Sequence, residues 1–251
     1  MDTEDTEVNT YPEKISSSVS TVSSVVASQG FGRVFLLSPA HCGGRRAQQI
    51  MSPKAGFALA QALRSQQGAR LGDLFSFVSG LYFRGKLTYA RRFAAPPELG
   101  HPVVGSGVHI ITANAGLRGP DTYVTRKAMQ AFSGGDVDPA NARYRQPLEQ
   151  SARVLAAEIG PDCDVVLLGS VASPKYVDVL TAIFGHRLRF PIEFVGRGDM
   201  SRGGLLLRQA QEGIELEYAA VAGAILHGAR PPKLPQKIIA GLQNCRIAER
   251  I

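Results

Sequence analysis

Four stretches of the chain gather polar and charged side chains directly after apolar runs. The first reads Ser38-Pro39-Ala40-His41-Cys42-Gly43-Gly44-Arg45-Arg46. Two glycines before two arginines leave backbone N–H groups free at a helix start, where the helix dipole favours an anion. Arg45 and Arg46 are therefore candidates to grip a phosphate, and Ser38 to meet a base or sugar. His41 is a candidate general acid or base, against the commoner use of a loop histidine as a turn residue. The second stretch, residues 196–204, sets Gly196, Gly198, Gly203 and Gly204 around Arg197, Asp199, Ser201 and Arg202. The glycines permit close approach of backbone to a ligand. Arg197 and Arg202 suit a phosphate or a base edge, Ser201 a sugar, and Asp199 a water or a developing cation. A helix N-cap accounts for Asp199 or Ser201, but not for both arginines. The third stretch, residues 113–121, offers Asn114 as a base or sugar contact and Asp121 as a catalytic carboxylate, in a setting of ordinary turn residues. In the fourth, residues 169–176, Ser170 and Lys175 are candidates for sugar and phosphate where a strand hands over to a helix; a plain cap is the other reading.

The segment Gly80–Arg92 mixes aromatics with cations. Aromatic rings stack on extruded bases while Arg and Lys track phosphates. Phe75, Phe77 and Phe83 have the spacing of core residues on a helix, which leaves Tyr82, Arg84 and Lys86 as the expected surface contacts. Arg143-Tyr144-Arg145 repeats the mixture on a smaller scale. The sequence holds no Walker loop, GxGxxG, HExxH or GxSxG, and no spaced His/Asp cluster. No cofactor and no metal are expected. Acidic residues near the four stretches are few, which disfavours multi-metal phosphodiester cleavage.

Strands are expected at 33–37, 108–113, 164–170, 188–195 and 216–221. Helices are expected at 45–50, 55–66, 71–93 (with breaks at Gly80 and Gly85), 122–132, 138–159, 174–184 and 205–212. Pro191 places the fourth strand near a sheet edge. Strands alternating with helices imply a mainly parallel sheet covered on both faces, a three-layer α/β/α sandwich forming one domain. In such sheets ligands bind beyond the carboxyl ends of the strands, where the four stretches fall. Residues 1–30 read as a separate arm, acidic and then Ser-rich. Residues 31–251 read as the domain, with a proline-punctuated tail.

The 251 residues carry 28 Lys plus Arg against 21 Asp plus Glu, a net charge of +7, with 44% hydrophobic residues. That excludes wholesale disorder. The first 30 residues hold five acids and one lysine, whereas Arg33 to Ala95 holds ten basic residues and one acid. Such a local excess points to a polyanion partner, here nucleic acid, and the acidic arm is expected to compete for the same face. Three cysteines without a CxxC pair argue against a disulfide framework or zinc knuckle and for a reducing compartment, so the cytoplasm. No signal peptide and no membrane span are expected.

The order of elements over residues 31–225, with the Leu37-Ser38-Pro39 turn, resembles the uracil-DNA-glycosylase-like superfamily, which includes bacterial enzymes that excise modified bases from phage DNA. The superfamily's first loop also carries a proline, usually with an Asp, Asn or Glu that positions water; Ser38 and His41 stand there in this chain. Its late His-Pro-Ser motif is absent, and residues 196–204 sit where it would fall. The resemblance implies a metal-free DNA glycosylase that flips a modified base from the stack, acting in phage defence. Asp199 or Asp121 would stabilise the cationic sugar, and His41 or an arginine the departing base. Two other readings stay open: an N-ribosyl hydrolase or transferase on free nucleosides or nucleotides, and a non-catalytic nucleic-acid-binding module.

Overall fold

The computed structural model describes residues 32–172 and 174–224, with residues 228, 229, 231, 232 and 234. The expected arm, residues 1–30, lies outside the described residues, as do Ser173 and most of the tail.

Arg33–Leu37 (β1) and Asp164–Leu168 (β6, in chain order) are short apolar runs whose last four residues are buried. Burial on both sheet faces is what a continuous apolar run, rather than an alternating one, allows. Between them come Arg45–Met51 (α1), Ala58–Arg64 (α2), Ala69–Arg70 (β2), Leu71–Ser79 (α3) and Leu81–Phe93 (α4). Val108–Ile111 (β3), Leu117–Arg118 (β4), Tyr123–Val124 (β5), Arg126–Ser133 (α5) and Ala142–Glu158 (α6) complete that stretch. Pro174–Phe184 (α7), Leu188–Pro191 (β7), Asp199–Glu212 (α8) and Tyr218–Ala220 (β8) follow β6. The main sheet runs β4-β3-β1-β6-β7-β8. Its four inner strands are parallel and its two edge strands antiparallel. A separate antiparallel pair joins β2 to β5.

The sandwich has the three layers expected. On one face Phe35, Leu37, Val108, Ile110, Val166 and Leu168 pack under α1–α5 and α8. On the other, Val34, Leu36, Ile111, Val165 and Leu167 pack under α6 and α7. Pro174 opens α7 and Thr125 and Asn141 cap α5 and α6, their side chains accepting from Ala128 N and Arg143 N.

The strand expected at 188–195 ends at Pro191, and Tyr123–Val124, expected in a helix, form β5. Two further expectations need correction. The predicted helix 71–93 breaks at Gly80, whose φ of 64° turns the chain, but runs unbroken through Gly85. Residues 199–204 are not loop: α8 begins at Asp199, so Gly203 and Gly204 are inside a helix. The two findings share a cause. A Cβ on Gly85 would lie 2.6 Å from Gly203 O, and one on Gly203 2.7 Å from Tyr82 Cα. Here α4 and α8 touch backbone to backbone, and only glycine allows that. The crossing brings Arg202, next to Gly203, into electrostatic range of Tyr82 and Lys86.

Candidate functional site

Connections from β1 lead first to β3 on one side, and then back across to β6 on the other. The carboxyl ends of β1 and β6 therefore flank a topological switch point, the usual place for a ligand in an open parallel sheet. Ser38 follows β1, and its N–H donates to Leu168 O at the end of β6 (3.1 Å). Gly169 stands opposite: a Cβ there would lie 2.7 Å from Tyr176 Oη and 2.8 Å from Ser38 Cβ.

Lys86 enters this space from α4. Its side chain is 1% exposed, and Nζ donates to Ser38 O at 2.7 Å and to Ser38 Oγ at 2.8 Å. The rings of Tyr82 and Phe83 lie 4.6 and 4.8 Å from Nζ. Among the described residues, no carboxylate forms an ion pair with it. Loss of hydration lowers the Lys86 pKa to about 7; Asp199 opposes this and Arg202 adds to it. Lys86 is therefore an amine divided between charged and neutral forms near neutral pH, where an ordinary lysine is charged. That is the condition in which a lysine serves as a proton acceptor.

Around the pair stand two phenols, a guanidinium and a carboxylate. Tyr176 Oη accepts the Ser170 N–H at 2.9 Å and lies beside Ser38. Burial raises the pKa of both Tyr82 and Tyr176, so both phenols stay protonated. Arg202 donates from Nε and Nη2 to Phe194 O (3.2 and 3.0 Å), and its Nη1 sits 3.7 Å from Asp199 Oδ1. The Arg202 side chain is 11% exposed, whereas that of Asp199 is 69% exposed. Asp199 thus faces solvent while Arg202 is largely buried. Ser38 itself is 7% exposed.

Of the residues singled out from sequence, the fold gathers Ser38, Tyr82, Lys86, Asp199 and Arg202 into one electrostatic neighbourhood, with Ser170 joined through Tyr176. Lys86 and Tyr82 are buried, which corrects their expected surface placement. Burial of the apolar face of α4 carries them inward: Tyr82, Phe83, Lys86, Tyr89 and Ala90 form its inward stripe, while Arg84 and Thr88 face out. Of residues 169–176, Tyr176 is buried beside Ser38, whereas Lys175, the expected phosphate contact, is exposed.

Other candidates lie apart. His41 is exposed, its ring close to Gly43 and Gly44. Asp121 is held by Arg91 at 3.0 Å and Arg70 at 3.6 Å. Asn114 donates to Ala131 O. Arg197 donates to Ser201 Oγ and Pro232 O. Arg45 and Arg84 are exposed and Arg46 reaches Phe77 O. Eight of the ten basic residues between Arg33 and Ala95 are exposed, leaving Lys86 and the half-buried Arg33, which bonds Glu215. Arg84 and Arg91 border a groove of about 400 Å³ with Ser76, Leu87, Thr88 and Leu207. Asn114 and Asp121 border a different cavity, of about 910 Å³.

Among the described residues, no three His, Cys, Asp or Glu side chains converge as a metal-binding set, and no helix is long and apolar enough to cross a membrane. No protein-family model, curated protein or solved structure matches the chain.

Proposed function

We propose that the protein is a nucleic-acid N-glycosidase, hydrolysing the bond between a modified base flipped from DNA and its sugar and leaving an abasic site. The observation that carries this reading is Lys86, an amine removed from water and held on Ser38 at the switch point. Cleavage of an N-glycosidic bond needs three things: a water at C1′, charge stabilisation for the sugar as it becomes cationic, and donors for the departing base. Ser38 and unprotonated Lys86 hold the water and take its proton. Asp199, exposed to solvent, faces the sugar. Arg202 and the protonated phenol of Tyr82 donate to the base. The C1′–N bond breaks with its electron pair going to the base nitrogen, the water oxygen bonds to C1′, and the proton on Lys86 passes to the base or to solvent. The exposed cations Arg45 and Arg84 supply phosphate contacts along the strand. Phage DNA carrying hypermodified bases is the proposed target, which would make the protein a defence enzyme.

The Ser38 Oγ to Lys86 Nζ contact of 2.8 Å also favours a second reading, with Ser38 as the nucleophile of an acyl-transfer hydrolase. Mass spectrometry separates the two. The glycosidase reading expects free base from unmodified or hypermodified phage DNA. A stable fluorophosphonate adduct on Ser38, with no base released from any DNA offered, would replace it with the acyl-transfer reading. Base or sugar released from free nucleotides alone would move the substrate from DNA to nucleotides.

A further inference from the structure

The cavity of about 910 Å³ lies between the β3–β4 edge of the sheet, α6 and the loop before β3. Its volume is that of a small-molecule site. His109, in the middle of β3, forms part of its wall and is 6% exposed. One ring nitrogen is used: the imidazole donates to the Val104 carbonyl. The other, Nε2, is buried and has no hydrogen-bond partner. Burial lowers the His109 pKa to about 4, so the ring is neutral at neutral pH and keeps a single N–H; with that proton on the nitrogen facing the Val104 carbonyl, Nε2 presents a lone pair. A buried acceptor without a donor is costly and calls for a ligand group to satisfy it.

The rest of the cavity defines what that ligand must be. Val103, Leu117, Val154 and Leu155 give it apolar walls, and Val154 is exposed on α6 although it is a large apolar residue. At residues 118–121 the character changes. Arg118 is exposed there, and Asp121 is already matched by both Arg70 and Arg91. Three guanidinium groups against two carboxylates, Asp121 and Asp73, leave that end positive by the charge of Arg118, suited to a phosphate. A flat ring with an N–H on one edge and a phosphate on the other side meets all three requirements. We propose that this cavity binds a free mononucleotide, its base donating an N–H to His109 Nε2 and its phosphate meeting Arg118. The site is separate from the Ser38–Lys86 cluster and does not depend on the activity proposed there.

The experiment is an NMR and calorimetric titration of the full chain with AMP, GMP, CMP and UMP, with purine riboside 5′-monophosphate and inorganic phosphate as controls. Purine riboside lacks an N–H on its pairing edge. At least one natural mononucleotide should shift the His109 ring resonances and bind about tenfold more tightly than purine riboside 5′-monophosphate. Arg118→Ala, an exposed position, should weaken that mononucleotide about fivefold or more. No binding by any of the four at about 10 mM overturns the proposal. So does binding of phosphate and mononucleotides with equal affinity and an unchanged His109 signal, which would mean an anion patch alone.

Discussion

Replacing Lys86 with Met should change how stability depends on pH. Folding carries the Lys86 amine from an ordinary pKa of 10.5 to about 7. Between those values the unfolded chain holds a proton that the folded protein does not. Unfolding free energy therefore rises with pH through this window. At 1.36 kcal/mol per pH unit the full gap is about 5 kcal/mol, and the part between pH 7 and pH 9 is about 2 kcal/mol. Cys42 and Cys163 act in the opposite direction, because burial pushes their thiols up to about 12 and about 11. Both remain in the variant, so the difference between the two proteins isolates Lys86. Urea unfolding at pH 7, 8 and 9 should show wild type gaining about 2 kcal/mol over Lys86→Met across the series. Met also leaves Ser38 O and Oγ without their donor, which shifts its stability at every pH but leaves the slope untouched. Parallel curves for the two proteins would refute the reasoning: the amine would then be charged in the folded state.

The neutral His109 works from the acid side. Its folded pKa of about 4 lies below the ordinary 6.5, so its contribution is present above 6.5 and is lost as pH falls towards 4; unfolding at pH 7 and pH 5 should differ by about 2 kcal/mol from this residue, a difference that His109→Gln removes. Gly203→Val drives a side chain into the Tyr82 backbone and should cost about 3 kcal/mol, read by thermal unfolding; a loss below 0.5 kcal/mol would mean that α4 and α8 part easily. Charge removal at the surface gives a separable readout: Arg84→Gln should weaken duplex binding and lower the dependence of log K on log salt by about one, and an unchanged slope would take Arg84 out of the interface.

Much of this fold was legible because its signals are local. The runs 33–37 and 164–168 are continuous and apolar, and Pro174 marks the start of α7 at its observed position. The errors fall where a residue answers to a partner far away in the chain. Gly85 and Gly203 look like breaks and loop when read alone, yet each exists because the other helix passes within van der Waals contact. The site divides in the same way. Ser38, Asp199 and Arg202 were found by the rule that function collects at the carboxyl ends of strands. Lys86 was identified but placed outward, because cations are normally solvated. The contrary signal was present: Lys86 stands four residues after Tyr82 and three before Tyr89, on the stripe that also carries Phe83 and Ala90. Tyr176 lies in a stretch, residues 169–176, that the same rule selects, but its contact with Ser38 comes from the meeting of α7 with the end of β1.

Base release as a function of pH tests the central claim most directly. Hypermodified phage DNA is incubated with wild type and Lys86→Met from pH 5.5 to 8.5, and the freed bases are quantified by mass spectrometry. If Lys86 takes a proton through Ser38, wild-type release rises through about pH 7 as the amine loses its charge, and Lys86→Met releases at least about a hundredfold less. Release that Lys86→Met retains at the wild-type rate, or no release from any DNA at any pH, contradicts the account.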